Sequence, residues 1–185
     1  MDKKFIIKLS VILFLITAVC VCTLAVCNNI TKDTIEKINI ENQENAKKEV
    51  LKEATSFEVS KTDKDVFIGK NGDKIIGYAV SVSPKGFGGN IDMMVGITPD
   101  LKVCDISIVN ISETPGLGSK ANDKKFLGQY KDLTENIAVK KGGGASGNEI
   151  CAISGATVTS KAVTDGVNDA ILKVKKVMEV EKWRI

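Results

Sequence analysis

Three features of this 185-residue chain predict an α+β fold: one N-terminal transmembrane helix, then an extracytoplasmic domain with a mainly antiparallel sheet and a C-terminal helix packed on it. An uncharged apolar run opens the chain. Paired strand-like segments joined by turn residues occupy its middle, and an amphipathic helical stripe closes it.

The opening run is Leu9–Cys27, LSVILFLITAVCVCTLAVC, nineteen residues without a charge. As a helix rising about 1.5 Å per residue it spans roughly 28 Å, close to the ~30 Å hydrocarbon core of a bilayer. A buried helix of a soluble protein would show a polar face every 3.6 residues, and this run has none. Lys3, Lys4 and Lys8 precede it. The positive-inside bias therefore puts residues 1–8 in the cytoplasm, residues 9–27 in membrane lipid, and the remainder outside the cytoplasm at the cell membrane. A cleaved signal peptide begins alike, but the run is long for one and no Ala-x-Ala-like site closes it. Leu24-Ala25-Val26-Cys27 resembles a lipoprotein processing site except for the bulky Val26, so an uncleaved anchor is favoured.

Residues 28–56 read as a helical connector, charged and helix-prone from Thr31 to Thr55, with a partial stripe of Ile35, Ile38, Ala46 and Val50. The domain proper follows over residues 57–185. Val66–Lys70 and Lys74–Ser83 are strand-like and joined through Asn71-Gly72, a hairpin signal. Ile91–Thr98 and Lys102–Asn110 form a second such pair around Pro99-Asp100. A Pro/Gly loop, ISETPGLGSK, leads to a short helical stretch around Asp123–Tyr130, and short strands are expected at Ile137–Lys140 and Glu149–Ile153. In the last helix Val163, Val167, Ala170, Ile171, Val174, Val177 and Met178 make a stripe that packs on a sheet, with Thr159 or Ser160 expected to cap its start.

Composition removes several function classes. The chain has no histidine, which excludes His-based triads, His zinc sites and haem ligation by His. Of five cysteines, Cys20, Cys22 and Cys27 lie in or at the end of the span, no C-x-x-C occurs, and no metal site is expected. Cys104 and Cys151 read as buried apolar thiols, with a disulfide between them left open. Setting aside the first 27 residues, with three lysines and one aspartate, leaves 23 basic against 22 acidic residues. That balance gives no electrostatic footprint for nucleic acid.

Two glycine patterns are decoys. Gly142, Gly144 and Gly147 fit G-x-G-x-x-G but precede a strand, whereas a pyrophosphate site needs a helix there. Gly116, Gly118 and Ala121 fit the looser G-x-G-x-x-A, yet the flanking strands are hairpin-joined and form no βαβ unit. The segment SGATVTS is different. Ser154, Gly155, Ala156, Thr157, Thr159 and Ser160 put small residues and hydroxyls at a helix start, whose free N–H groups and partial positive charge seat a phosphate. On the residues alone, a hydroxyl-rich helix cap is the simpler reading.

SGATVTS, ETPGLGSK at Glu113–Lys120 and GFGGNIDMMVGI at Gly86–Ile97 together resemble the FMN-binding domain of RnfG, a component of the Rnf electron-transport complex. NqrC, from the Na+-translocating NADH:quinone reductase, is a longer relative. The resemblance covers roughly residues 1–180 in order. It implies covalent FMN, placed on Thr157 through its phosphate by a flavin transferase that uses FAD. It also implies that the loop Glu113, Thr114, Pro115, Gly116, Leu117 and Gly118 lies against the flavin. The implied function is that of a redox subunit in a complex passing electrons between ferredoxin and NAD+, coupled to ion transport, with other membrane subunits as partners. No catalytic acid, base or nucleophile is expected. Phe87 and Phe126 are further candidates for ring contact, and both read equally as core. Two departures stand out: Cys151 replaces an Asp common three residues before the Ser, and no His precedes Glu113. The alternatives are a stand-alone anchored FMN carrier and a non-redox ectodomain that binds an anion at the same helix start.

Overall fold

The computed structural model describes residues 3–182, so residues 1–2 and 183–185, the outermost parts of the 1–8 and 57–185 divisions, lie outside the described residues. The chain divides into two compact units, residues 1–41 and 42–185.

Helix α1, Lys3–Val50, is 48 residues long and unbroken, so residues 28–50 continue the apolar run as helix. Among the described residues it is the one helix long and apolar enough to cross a membrane. Within the first unit its large side chains, such as Phe14 and Leu24, point outward. The hydroxyls of the apolar run are satisfied within the helix: Ser10 donates to the Ile6 carbonyl at 3.0 Å, Thr17 to Leu13 at 3.0 Å and Thr23 to Val19 at 2.9 Å. A helix in hydrocarbon needs this, because no water is there to accept those protons.

The second unit is built on five strands, β1 (Ser56–Val59), β2 (Val66–Asn71), β3 (Lys74–Val82), β4 (Ile91–Ile97) and β5 (Val103–Ile111). They pair in chain order as an antiparallel meander. Three short helical turns follow, Gly118–Asn122, α2 (Lys124–Leu127) and Gly128–Tyr130. Strands β6 (Ala138–Lys140) and β7 (Glu149–Cys151) pair in parallel, and α3 (Thr157–Lys182) closes the unit. The loop between β6 and β7 holds Gly142, Gly144 and Gly147, all with positive φ.

The middle strands are buried on both faces, which explains their near-continuous apolar sequence. Toward α3 point Val80, Met93 and Val95, meeting Val163, Val167, Ala170, Ile171, Val174 and Val177; Met178 packs at the margin. The other face holds Ala79 and Met94 beneath Ala46 and Val50 from the end of α1 and Leu51 just after it. Gly96 makes that second contact possible. A Cβ there would lie 2.5 Å from the Val50 carbonyl oxygen and 2.9 Å from its Cβ.

Three local expectations shift. Asn71 pairs with Lys74 inside the ladder, so the hairpin turn is Gly72-Asp73, one residue later than expected, with Gly72 at φ +61°. Strand β1 has no counterpart among the expected strands; it is a four-residue edge strand, largely exposed, with no apolar alternation to mark it. Cys104 and Cys151 are half-buried free thiols, and burial raises the Cys104 pKa, keeping that thiol protonated and inert.

Ile171, fully buried between α3 and the sheet, is a direct test of this core. Ile171→Ala is expected to destabilise the domain by about 2–5 kcal/mol. Thermal unfolding of the detergent-solubilised chain should show it as a Tm lowered by on the order of 10 °C.

Candidate functional site

Three segments distant in sequence converge at the N-terminus of α3. They are the Lys85–Asn90 turn between β3 and β4, the Glu113–Gly118 loop after β5, and Gly155–Thr159. Between them lies a cleft of about 410 Å³. Its walls are Phe87, Glu113, Thr114, Leu117 and Gly118 on one side and Gly155, Ala156, Thr157, Val158 and Thr159 on the other.

Glu113 joins the three segments. Its carboxylate, only 9% exposed, accepts from the Phe87 N–H at 2.7 Å and the Gly88 N–H at 3.2 Å through Oε1. Through Oε2 it accepts the Thr159 hydroxyl at 2.9 Å. Buried charge is tolerable only when paired or fully hydrogen-bonded, and here three donors meet it. Glycine leaves the room: a Cβ at Gly118 would stand 2.5 Å from Oε2 and 2.9 Å from the Thr159 hydroxyl, and one at Gly86 would collide with Oε1. The Glu113–Gly118 loop also braces itself. Leu117 and Ser119 N–H groups both donate to the Thr114 carbonyl at 3.2 Å, and the Gly116 N–H donates to the Ser119 hydroxyl at 2.9 Å.

The hydroxyls at the start of α3 fall into two groups. Thr159 and Ser160 lie inside α3, which begins at Thr157, so neither caps it as expected. Thr159 gives its proton to Glu113. Ser160, fully buried, donates to the Ala156 carbonyl at 2.9 Å and accepts the Ile153 N–H at 2.9 Å. Thr164 donates to the Ser160 carbonyl at 2.9 Å and shares a 2.7 Å bond with the Tyr130 hydroxyl. Burial pushes the Tyr130 phenol well above its usual range, so it stays neutral. Within SGATVTS, among the described residues, only the Ser154 and Thr157 hydroxyls lack a hydrogen-bond partner. Of these, Thr157 lines the cleft and Ser154 is exposed outside it.

The remaining candidates divide likewise. Gly155, at φ +77°, and Ala156 line the cleft, while Pro115 and Gly116 (φ +76°) are exposed in the loop outside its wall. Phe87 is 74% exposed at the cleft lip. Phe126 is core instead, 5% exposed and edge-on to Tyr130 with ring centroids 5.7 Å apart, so it is corrected as a candidate for ring contact. Val158, 54% exposed in the cleft wall, is a site residue that sequence reasoning misses; its only signal is being apolar at the exposed start of a helix. A second depression of about 400 Å³ runs beside Asp65, Asp165 and Asp169; it holds no expected residue, and its carboxylates do not suit a phosphate.

The packing around Glu113 makes a sharp contrast between two glycines. Gly118→Ala is expected to destabilise the domain by about 1–3 kcal/mol through overpacking. Gly128→Ala, where φ is −62° and no atom lies within 4 Å of the added methyl, should leave stability unchanged or raise it by about 0.4–1 kcal/mol. Urea unfolding of the two variants reads both signs.

Comparison with known proteins accords with this geometry. Residues 86–172, which contain the Glu113–Gly118 loop, Gly155–Thr159 and all but the first residue of the Lys85–Asn90 turn, match the family model described as an FMN-binding domain. Residues 1–53 match the RnfG N-terminal region. The chain is 39% identical to the RnfG component of the Na(+)-translocating ferredoxin:NAD(+) oxidoreductase complex of Acetobacterium woodii, over 92% of each chain. It is 37% identical to the corresponding component of the proton-translocating ferredoxin:NAD(+) oxidoreductase complex of Clostridium ljungdahlii, over 78% of each. In fold it is similar to the NqrC component of the Na(+)-translocating NADH-quinone reductase of Parabacteroides distasonis, with TM-score 0.52 at 22% identity, covering 60% of this chain and 61% of that one. Shewanella oneidensis NqrC gives 0.51 at 23%, covering 64% and 66%. With the FMN-binding match over the cleft, the anchor match over α1 and RnfG relatives along nearly the whole length, the chain belongs to the RnfG family of electron-transfer proteins.

Proposed function

We propose that this chain holds FMN covalently, through a phosphoester on Thr157, and relays electrons within an ion-translocating ferredoxin:NAD+ oxidoreductase complex. The observation that carries the reading is the state of the hydroxyls at the start of α3. Thr159, Ser160 and Thr164 have each committed their proton, whereas the Thr157 hydroxyl is free and lines the cleft. Its position is favourable for a phosphate, because the first turn of a helix offers unpaired N–H groups and a partial positive charge, and α3 has no acidic residue there. Attachment would form the Thr157 Oγ–phosphorus bond as the pyrophosphate of FAD breaks and AMP leaves, on a flavin transferase.

Thr157, Gly155 and Ala156 would hold the phosphate end, with Leu117, Phe87 and Val158 as the apolar surface for the ring. Ser154, Ser160, Pro115 and Gly116 would shape the backbone around it. Flavin supplies the chemistry, taking two electrons together and releasing them singly, so the protein need only position and tune it. That task matches a cleft with one ionisable side chain and no nucleophile–base pair. The partners this implies are the other membrane subunits of the complex, the transferase and lipid around residues 9–27. The N-terminal lysines favour a domain outside the cytoplasm.

Thr157→Ala, co-produced with a flavin transferase, should abolish flavin fluorescence on a denaturing gel while the fold persists, since the core residues of α3 begin at Ala162. Retained fluorescence in Thr157→Ala, with a dark Thr159→Ala, would reassign the acceptor. For topology, protease added to intact spheroplasts should degrade the domain. Cleavage seen only after lysis would place it in the cytoplasm.

A further inference from the structure

We infer that Glu113 is the positioning residue of the cleft and that its buried negative charge holds the bound flavin at a lower reduction potential. This rests on the reading that the cleft takes FMN. The geometry assigns Glu113 more than a wall contact. Its two oxygens accept from Phe87 and Gly88 on one loop and from Thr159 on α3, so the cleft keeps its width through this one side chain. It is also the only ionisable side chain among the residues that line the cleft.

Buried charges interact more strongly than exposed ones, because little water screens them. Full reduction of an isoalloxazine adds two electrons; with uptake of one proton, one negative charge is added to the ring. A fixed carboxylate in the same cleft opposes that added charge and so disfavours reduction, and charge near the ring is a recognised lever on flavin potential. Glu113→Gln removes the charge while keeping the shape. Its carbonyl oxygen still accepts from the two amides, and its NH₂ can donate to the Thr159 hydroxyl, which reverses direction.

The test is a redox titration, with dithionite as electron donor, of the full chain co-produced with the transferase. Glu113→Gln should shift the flavin potential upward from the wild type. Thr159→Val, which breaks the same clamp but keeps the charge, should shift it much less. Equal shifts in the two variants, or none in Glu113→Gln, would overturn the assignment. Should Glu113→Gln take no flavin, Glu113→Asp decides: it retains charge at a shorter reach. Faster hydrogen exchange at the Phe87 and Gly88 amides with a potential near that of the wild type supports the inference, and unchanged exchange overturns it. A wild-type chain that never acquires flavin would instead refute the cofactor reading beneath it, and this one with it.

Discussion

The cleft keeps its form because three parts of the chain share one buried carboxylate. Glu113 lies 25 and 26 residues from the amides it binds and 46 from the hydroxyl. Each partner alone would be an ordinary loop hydrogen bond contributing about a kcal/mol. Together they join three segments around a group that could not be buried unpaired. The space this needs is reserved by Gly86 and Gly118, where a side chain would collide with the carboxylate. The stretches GFGG, ETPGLG and SGATVT, which look like separate motifs along the chain, are parts of one hydrogen-bonded assembly.

The same carboxylate sets a tension with the proposed ligand. The start of α3 favours an anion, yet Glu113 reaches its third residue, Thr159, with a negative charge. Three donors spread that charge without removing it. A phosphate held only by the helix start would therefore compete with a like charge nearby. The proposed covalent bond to Thr157 would retain the phosphate whatever that balance, which would give such an ester a thermodynamic reason.

How much of this is legible in the sequence depends on the range of the interaction. Helix α3 and strands β2 to β5 follow from local periodicity, because their apolar residues recur at 3.6 or along short runs bounded by turn residues. Strand β1 escapes because only Phe57 turns even partly inward, leaving no pattern to read. Thr159 and Ser160 at a helix start read as caps by local rules; one is drawn instead to Glu113, and the other to the Ala156 carbonyl and Ile153 amide. Phe126 and Phe87 are equivalent as letters, and only tertiary packing turns one into core and leaves the other at the lip. The family resemblance points to the segments and to Thr157, while the hydrogen bonds of Thr159 and Ser160, which join distant parts of the chain, are visible only in the fold.

The chain has no histidine, and the one phenol near the start of α3, Tyr130, is buried, hydrogen-bonded and pushed far above neutrality. Glu113 already has both oxygens engaged. Among the described residues that line the cleft, the one ionisable side chain is thus tied into three hydrogen bonds, and none is a histidine or a cysteine. With a flavin in place, electrons would enter by way of a redox partner, while protons would be exchanged with bulk water at the open mouth beside Phe87. Holding a flavin as proposed, such a lining would serve electron transfer and leave proton exchange to the solvent, so that ion movement would fall to other parts of a complex.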